Sequence, residues 1–242
     1  MKIAITFWGT GNYLDFLPKW YESIEDNFLT NIEKKYFIFT DGELIDSPDN
    51  IIKIDIPNYG FPNTFNKTFE EILKLKNTLF EYDWMVSIDA DMIVNQKIEY
   101  DEFFDNTKKY IGVHHPCDYL KFPPHNEYPG SFETNSQSIA CIDDTLDLSV
   151  YYQGCLWGGK IPEIFDMMKQ IDLWIKDDLS RNIESKFYEE SYLNKWFLTH
   201  KDDVHTLEPS FAFPELFEQY CDFDRKIIHL YKENKYFGNN QW

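Results

Sequence analysis

The 242-residue chain carries 42 acidic side chains against 23 Lys and Arg, a formal net charge of −19. That balance argues against a nucleic-acid groove or adsorption to an anionic membrane, since both need a basic footprint. Hydrophobic residues make up 43% of the chain, enough for a sizeable core, and no apolar run reaches the ~20 residues that span a bilayer.

The first apolar run, Lys2–Trp8, predicts a strand that turns at Gly9-Thr10-Gly11-Asn12. Phe16, Leu17, Trp20, Tyr21, Ile24 and Phe28 then recur at helical spacing over residues 13–28. The turn is close to a dinucleotide fingerprint, but Leu14 stands where the third Gly belongs. Residues 35–40 and 51–56 predict two further strands, ended by Asp41-Gly42 and by Pro57. These are βαβ proportions, so the expected fold is α/β, a mostly parallel central sheet flanked by helices in a single domain over residues 1–242. A helix is expected over residues 63–80 and a buried strand over 84–88, with another strand at 110–115. From 116 to 147 periodicity fails among Pro116, Pro123, Pro124, Pro129 and Gly130; a loop of that length reads as the wall or lid of a pocket, mobile in part. Tyr151–Gly159 mixes aromatics with glycines that permit close backbone approach. Helices follow near 162–176 and through Phe187–Trp196, then a strand at 226–230 and a locally basic tail.

The four cysteines form no C-x-x-C pair and are expected as free thiols. With no signal-peptide pattern at Met1-Lys2-Ile3-Ala4-Ile5, the expected location is cytoplasmic. Aromatic residues reach 18%; beyond the core they suit flat ligands and sugar faces.

The chemistry concentrates at Asp83-Trp84-Met85-Val86-Ser87-Ile88-Asp89-Ala90-Asp91-Met92. On extended backbone, residues i and i+2 share a side, so Asp89 and Asp91 can face one spot. Two hard oxygen donors at a strand exit suit Mg²⁺ or Mn²⁺; the bland alternative is an Asx-rich turn. Three functions compete. One is a nucleotide-sugar transferase, which would use the D-x-D under a diphosphate. Another is a nicotinamide or flavin enzyme, supported by Asp41 but leaving the D-x-D unused. The last is a non-catalytic carbohydrate-binding protein.

Five segments in order then resemble family 6 of the retaining glycosyltransferases, the family of the histo-blood-group A and B transferases and the α-1,3-galactosyltransferase. Phe37-Ile38-Phe39-Thr40-Asp41 resembles its Y-V-F-T-D, and Met85–Met92 its L-V-C-V-D-V-D-M. Gly112-Val113-His114-His115-Pro116 resembles G-T-L-H-P, Tyr151–Gly159 resembles Y-Y-x-G-G-F-F-G-G, and Glu190–Trp196 resembles E-S-H-L-N-K-Y. The resemblance implies a GT-A fold, a UDP-sugar donor carrying galactose or N-acetylgalactosamine, a glycan acceptor, and retaining transfer to the 3-hydroxyl of a galactoside. It implies Trp8, Gly9, Thr10 and Tyr13 along the uridine, and Asp89 at the ribose and metal-bound water. Asp91 would sit on the metal and diphosphate, with Lys232 and Lys235 closing on that diphosphate. His115 would meet the acceptor, and Glu190 would be the catalytic carboxylate. Gln153, Gly154 and Cys155 would line the transferred sugar, Cys155 leaning toward galactose.

The chain departs from the family where W-H-D-E-S becomes Phe187-Tyr188-Glu189-Glu190-Ser191, so the longer Glu189 replaces the aspartate that grips the donor sugar. Thr68 stands where an Arg commonly contacts the donor. Retention of Asp89 and Asp91 predicts metal dependence, and the lack of an anchor predicts a soluble microbial or viral member.

Overall fold

The computed structural model describes residues 1–120 and 131–232. The chain opens with β1 (Lys2–Trp8), a 3₁₀ turn over Gly11–Phe16, α1 (Leu17–Asn27), β2 (Glu33–Thr40) and β3 (Ile51–Asp55). Next come α2 (Asn63–Leu73), α3 (Lys76–Leu79), β4 (Trp84–Ile88), β5 (Met92–Val94), α4 (Tyr100–Phe103), β6 (Tyr110–His114) and α5 (Pro116–Leu120). The remainder holds β7 (Tyr152–Lys160), α6 (Glu163–Ser180), α7 (Tyr188–Thr199), β8 (Val204–Leu207), β9 (Phe213–Pro214) and β10 (Ile227–His229).

Seven strands form one sheet in the order β3-β2-β1-β4-β7-β6-β8. All neighbours are parallel except β7, which runs antiparallel to both β4 and β6. Helices cover both faces, and the alternation of β1 sorts its side chains between them. Ile3, Ile5 and Phe7 pack with Trp20, Ile24 and Phe28 on one face. Ala4, with Phe37, Phe39 and Met85 of the adjacent strands, packs under Phe69, Ile72, Met168, Ile171 and Phe197 on the other. This mostly parallel, helix-flanked sheet is consistent with a GT-A fold.

Several boundaries differ from the sequence reading for local reasons. The helix expected over 13–28 starts as a 3₁₀ turn and becomes α-helical only at Leu17, because Pro18 has no N–H to donate and fits the first turn of a helix. The helix expected over 63–80 breaks after Leu73 into α2 and the single-turn α3. The helix after Pro162 is longer than expected and ends at Ser180. The expected last strand shortens to Ile227–His229 and leaves the main sheet. It joins a second sheet in the order β5-β10-β9, pairing antiparallel with β5 and parallel with β9.

The described part of the long connector, residues 131–150, is tied down by two buried acids. Glu133 accepts from the Asn135 N–H (2.6 Å) and the Lys186 N–H (2.7 Å). Asp178, fully buried in α6, accepts from the Ser138 hydroxyl (2.7 Å), the Ile139 N–H (3.0 Å), the Tyr192 hydroxyl (2.8 Å) and Arg181. The segment is thereby held against α6 and the turn that leads into α7. Among the described residues no helix is long and apolar enough to cross a membrane.

Candidate active site

The site is assembled from three strand exits and one helix. β4 is buried along its whole length and releases Asp89 and Asp91 at its end. Asp89 is half-buried, and its N–H donates to the Cys155 carbonyl (3.0 Å). Asp91 is only 2% exposed. Its carbonyl accepts the Leu230 N–H (2.8 Å), and its Oδ2 meets both His229 Nε2 (2.9 Å) and the Lys232 ammonium (2.5 Å). The ammonium also lies over the Tyr13 ring, 5.6 Å from the centroid. The C-terminal strand thus places two nitrogen groups on the second carboxylate of the D-x-D.

The two carboxylates titrate apart. Burial raises Asp89 above the ordinary range, and the adjacent Asp91 raises it further. Burial also works against ionisation of Asp91, but His229 and Lys232 together outweigh it and hold that carboxyl well below the usual range. For a divalent ion the donor set is two hard oxygens from neighbouring side chains. Among the described residues no group of three or more His, Cys, Asp or Glu is arranged to hold a metal. Two carboxylates fit Mg²⁺ or Mn²⁺ where water and phosphate oxygens complete the shell.

β7 carries the joint between this pair and the helix. Its register against β6 jumps between Gly112↔Trp157 and Val113↔Gln153, so residues 154–156 leave that ladder as a bulge. The bulge frees the Gly154 N–H to donate to Glu190 Oε2 (2.7 Å), while the Tyr151 hydroxyl donates to Glu190 Oε1 (2.6 Å). Glu190 and Asn194 lie one turn apart on α7, on one face. Asn194 accepts the Tyr152 N–H and donates to the Tyr152 carbonyl, both at 2.7 Å, and it also donates to the Glu190 carbonyl (2.9 Å). One helical face is therefore pinned to alternate residues of β7. A Cβ on Gly154 would lie 3.1 Å from Glu190 Cβ and 3.2 Å from its Oε2, so only glycine leaves the carboxylate room. Burial raises Glu190, against the two donors that favour its ionised form. Tyr151, buried beside it, is held well above its ordinary value and stays a donor.

Glu189 is half-buried, and burial, with Asp89 adding, holds it well above the carboxylate range. Tyr188 before it has φ +46°, an uncommon conformation for a bulky side chain, with its ring stacked on Phe65 (5.9 Å) and edge-on to Phe61 (5.2 Å). His115 is buried, its Nδ1 accepts the Cys117 N–H (3.1 Å), and burial pushes its pKa down to about 3. Its ring is thus neutral, with the proton on Nε2. Gln153 is 7% exposed and its Oε1 has no hydrogen-bond partner among the described residues. Cys155 is buried, and its thiol is raised first by that burial and then by Asp89 and Glu190.

At the other rim, Trp8 stacks on Phe39 at 4.3 Å with the planes 4° apart, and the Gly9 N–H donates to the Phe39 carbonyl (3.0 Å). Thr10 accepts the Tyr13 N–H (3.2 Å). Gly11 takes φ +55°, which glycine adopts without penalty, and its N–H donates to Asp41 Oδ1 (2.8 Å). Asp41 thus has a structural use in the turn, which removes the main support for a nicotinamide enzyme. Lys235 lies outside the described residues. Asp89, Asp91, Lys232 and Tyr13 come together, as do Gly154, Cys155, Glu189 and Glu190. Sequence reasoning missed three residues at this site: His229, Tyr151 and Asn194. The last two stand inside quoted motifs, but they act through backbone and carboxylate contacts that a motif does not display.

The sequence profile of glycosyltransferase family 6 matches residues 66–236. The chain is 29% identical over 242 residues to the O-antigen biosynthesis glycosyltransferase WbnI of Escherichia coli, covering 99% of both proteins. It is 24% identical over 225 residues to the human globoside alpha-1,3-N-acetylgalactosaminyltransferase 1, covering 89% of this chain and 62% of that protein. Against the rat histo-blood group ABO system transferase 2 the figures are 25% over 224 residues, 88% and 64%. The chain therefore spans the bacterial relative from end to end and under two thirds of the animal ones. With the profile covering more than half of its length, the chain belongs to glycosyltransferase family 6.

Proposed function

We propose that the protein transfers galactose or N-acetylgalactosamine from a UDP-sugar to the 3-hydroxyl of a galactoside, with retention at the anomeric carbon and dependence on Mn²⁺ or Mg²⁺. One observation carries the reading. The Glu190 carboxylate is bound to the Gly154 N–H, and the next carbonyl, that of Cys155, is bound to the Asp89 N–H. A candidate catalytic acid and a candidate diphosphate clamp are thus joined through two adjacent residues of one bulge. The donor, linkage and acceptor class follow the resemblance and the alpha-1,3 wording in the names of the animal transferases.

Asp89 and Asp91 would hold the divalent ion, which supplies Lewis-acid stabilisation of the departing diphosphate. Lys232 adds a positive charge on the same side, and Tyr13, Trp8, Gly9 and Thr10 form the uridine rim. Gln153 offers its spare Oε1 to a hydroxyl or amide N–H of the transferred sugar, beside Cys155 and Glu189. His115 offers its Nε2–H to the acceptor. As the bond between C1 and the diphosphate oxygen breaks, the electron pair leaves with the diphosphate. Glu190, whose ionised form accepts from the Tyr151 hydroxyl and the Gly154 N–H, faces the positive charge growing on C1. That carboxylate can bond to C1 and be displaced by the acceptor oxygen, or it can stabilise an oxocarbenium-like state while the acceptor enters from the leaving-group side. In both routes the acceptor enters on the face that the diphosphate has left, and its proton passes to the departed diphosphate.

The test is direct. UDP with Mn²⁺ raises the melting temperature of the wild-type protein, as a native-state ligand must. Asp91→Asn abolishes the Mn²⁺-linked part of that rise. Glu190→Gln keeps it and loses turnover over a panel of UDP-sugars. A melting temperature indifferent to UDP and metal, or normal turnover by Glu190→Gln, refutes the assignment.

A further inference from the structure

His229 belongs to no motif, and the reading above gives it no part. Its place is nevertheless fixed by the backbone. β10 pairs His229 with Met92 of β5, and the following Leu230 N–H is bonded to the Asp91 carbonyl (2.8 Å). The imidazole is therefore delivered to Asp91 by a strand ladder. Lys232 reaches the same oxygen from beyond the end of the strand, on a long side chain. Both groups act on Oδ2; Asp91 itself is 2% exposed, so its carboxylate has little freedom of its own.

We infer that His229 is a positioning residue for Asp91. By holding Oδ2, it fixes the rotation of the carboxylate and leaves Oδ1 as the ligand for the divalent cation and its diphosphate. Ligating carboxylates usually have such an outer hydrogen bond, and losing it costs metal affinity about 10- to 100-fold. Here that partner comes from a strand 138 residues further along the chain. Lys232 meets the same oxygen, but from beyond the strand and on a long side chain, so it constrains the carboxylate less than the imidazole delivered by the ladder. The inference rests on reading the D-x-D as the metal site.

The experiment measures Mn²⁺ affinity of the full chain by calorimetry at saturating UDP, with the electron paramagnetic resonance spectrum of bound Mn²⁺ as a second readout. His229→Phe keeps a planar ring and high strand propensity but loses the donor. His229→Gln keeps an N–H. His229→Phe is expected to bind Mn²⁺ at least tenfold more weakly and with an altered spectrum, and His229→Gln to recover much of that loss. The metal concentration for half-maximal turnover should rise while turnover at saturating metal changes little. His229→Phe binding Mn²⁺ within twofold of wild type, or His229→Gln binding as weakly as His229→Phe, overturns the positioning role alone. Wild-type protein that takes up neither Mn²⁺ nor UDP overturns the donor-site reading beneath it, and the positioning role with it.

Discussion

Gly154→Ala is the smallest change that addresses Glu190 without touching it. Among the described residues the glycines with positive φ are Gly11 and Gly60, not Gly154, so alanine meets no such backbone penalty there. Its effect comes from the Cβ, which would sit 3.1 Å from Glu190 Cβ, 3.2 Å from Oε2 and 3.3 Å from Cγ. Carbon pairs prefer about 3.5–4.0 Å, so something must yield by a few tenths of an ångström. Glu190 cannot yield freely, because Tyr151 holds one oxygen at 2.6 Å and the Gly154 N–H the other at 2.7 Å. Overpacking of this kind costs about 1–3 kcal/mol, which lowers the melting temperature of a chain this size by roughly 2–12 °C. Weakening a hydrogen bond to a charged group costs up to about 1.5–3 kcal/mol. Felt at Glu190, the proposed catalytic carboxylate, that is a fall in turnover of roughly tenfold to a hundredfold. The assay pairs sugar transfer at saturating donor with calorimetry of UDP and Mn²⁺. Binding should stay near wild type, because Asp91 and its partners are untouched. Normal turnover in Gly154→Ala, in a protein that is folded and binds UDP, refutes the argument that the bulge positions Glu190.

Two other perturbations test the same architecture. In Tyr151→Phe, Glu190 loses one of the two donors that oppose the effect of burial, so its pKa rises further above the ordinary range. The acidic limb of turnover at saturating donor and metal should shift to higher pH, and a limb at or below the wild-type position contradicts the role given to Tyr151. The linked stability has a definite sign: with the folded pKa above the unfolded one, stability falls as pH rises from the ordinary glutamate range through the raised value, more so in Tyr151→Phe. Asn194→Ala strips both hydrogen bonds from the Tyr152 backbone in a site 1% exposed. At about 1–3 kcal/mol for each of the two orphaned groups it should lower the melting temperature by roughly 4–24 °C. A drop under 2 °C by differential scanning fluorimetry shows that the Asn194 pairing does not anchor α7.

What the sequence disclosed about the site is what lies contiguous in the chain. Asp89 and Asp91 are legible because a buried strand ends in them, and Glu190 because Ser191, Asn194 and Lys195 surround it in a quoted pattern. The contacts between these pieces were not legible. His229 and Asp91 are 138 positions apart, and their meeting depends on a three-residue strand too short to announce a partner. The direction of β7 was equally hidden, since an apolar run reads the same whichever way it enters a sheet. Glu133 and Asp178 escaped notice because an acid in a chain of charge −19 defaults to the solvated surface. Their burial is explained by donors from residues 135, 138, 139, 181, 186 and 192, which the fold brings to them.

The acidity of the site sets its order of assembly. Asp89, Asp91, Glu189 and Glu190 gather at the ends of β4 and α7, and burial works against the ionised form of each. Unit charges about 4 Å apart repel by about 4 kcal/mol at an effective dielectric near 20, so a bare diphosphate meets a hostile field here. His229 and Lys232 relieve that field at Asp91, and the lowered pKa of Asp91 beside the raised pKa of Asp89 reflects how local the relief is. Under the proposed function, relief for Asp89 beyond the charges of His229 and Lys232 would come from the divalent ion that Asp89 and Asp91 would hold. Donor and metal would then be coupled, because each would remove the electrostatic obstacle to the other. Glu190, joined to Asp89 through two residues of β7, would then face a carbon that turns positive only as the diphosphate departs.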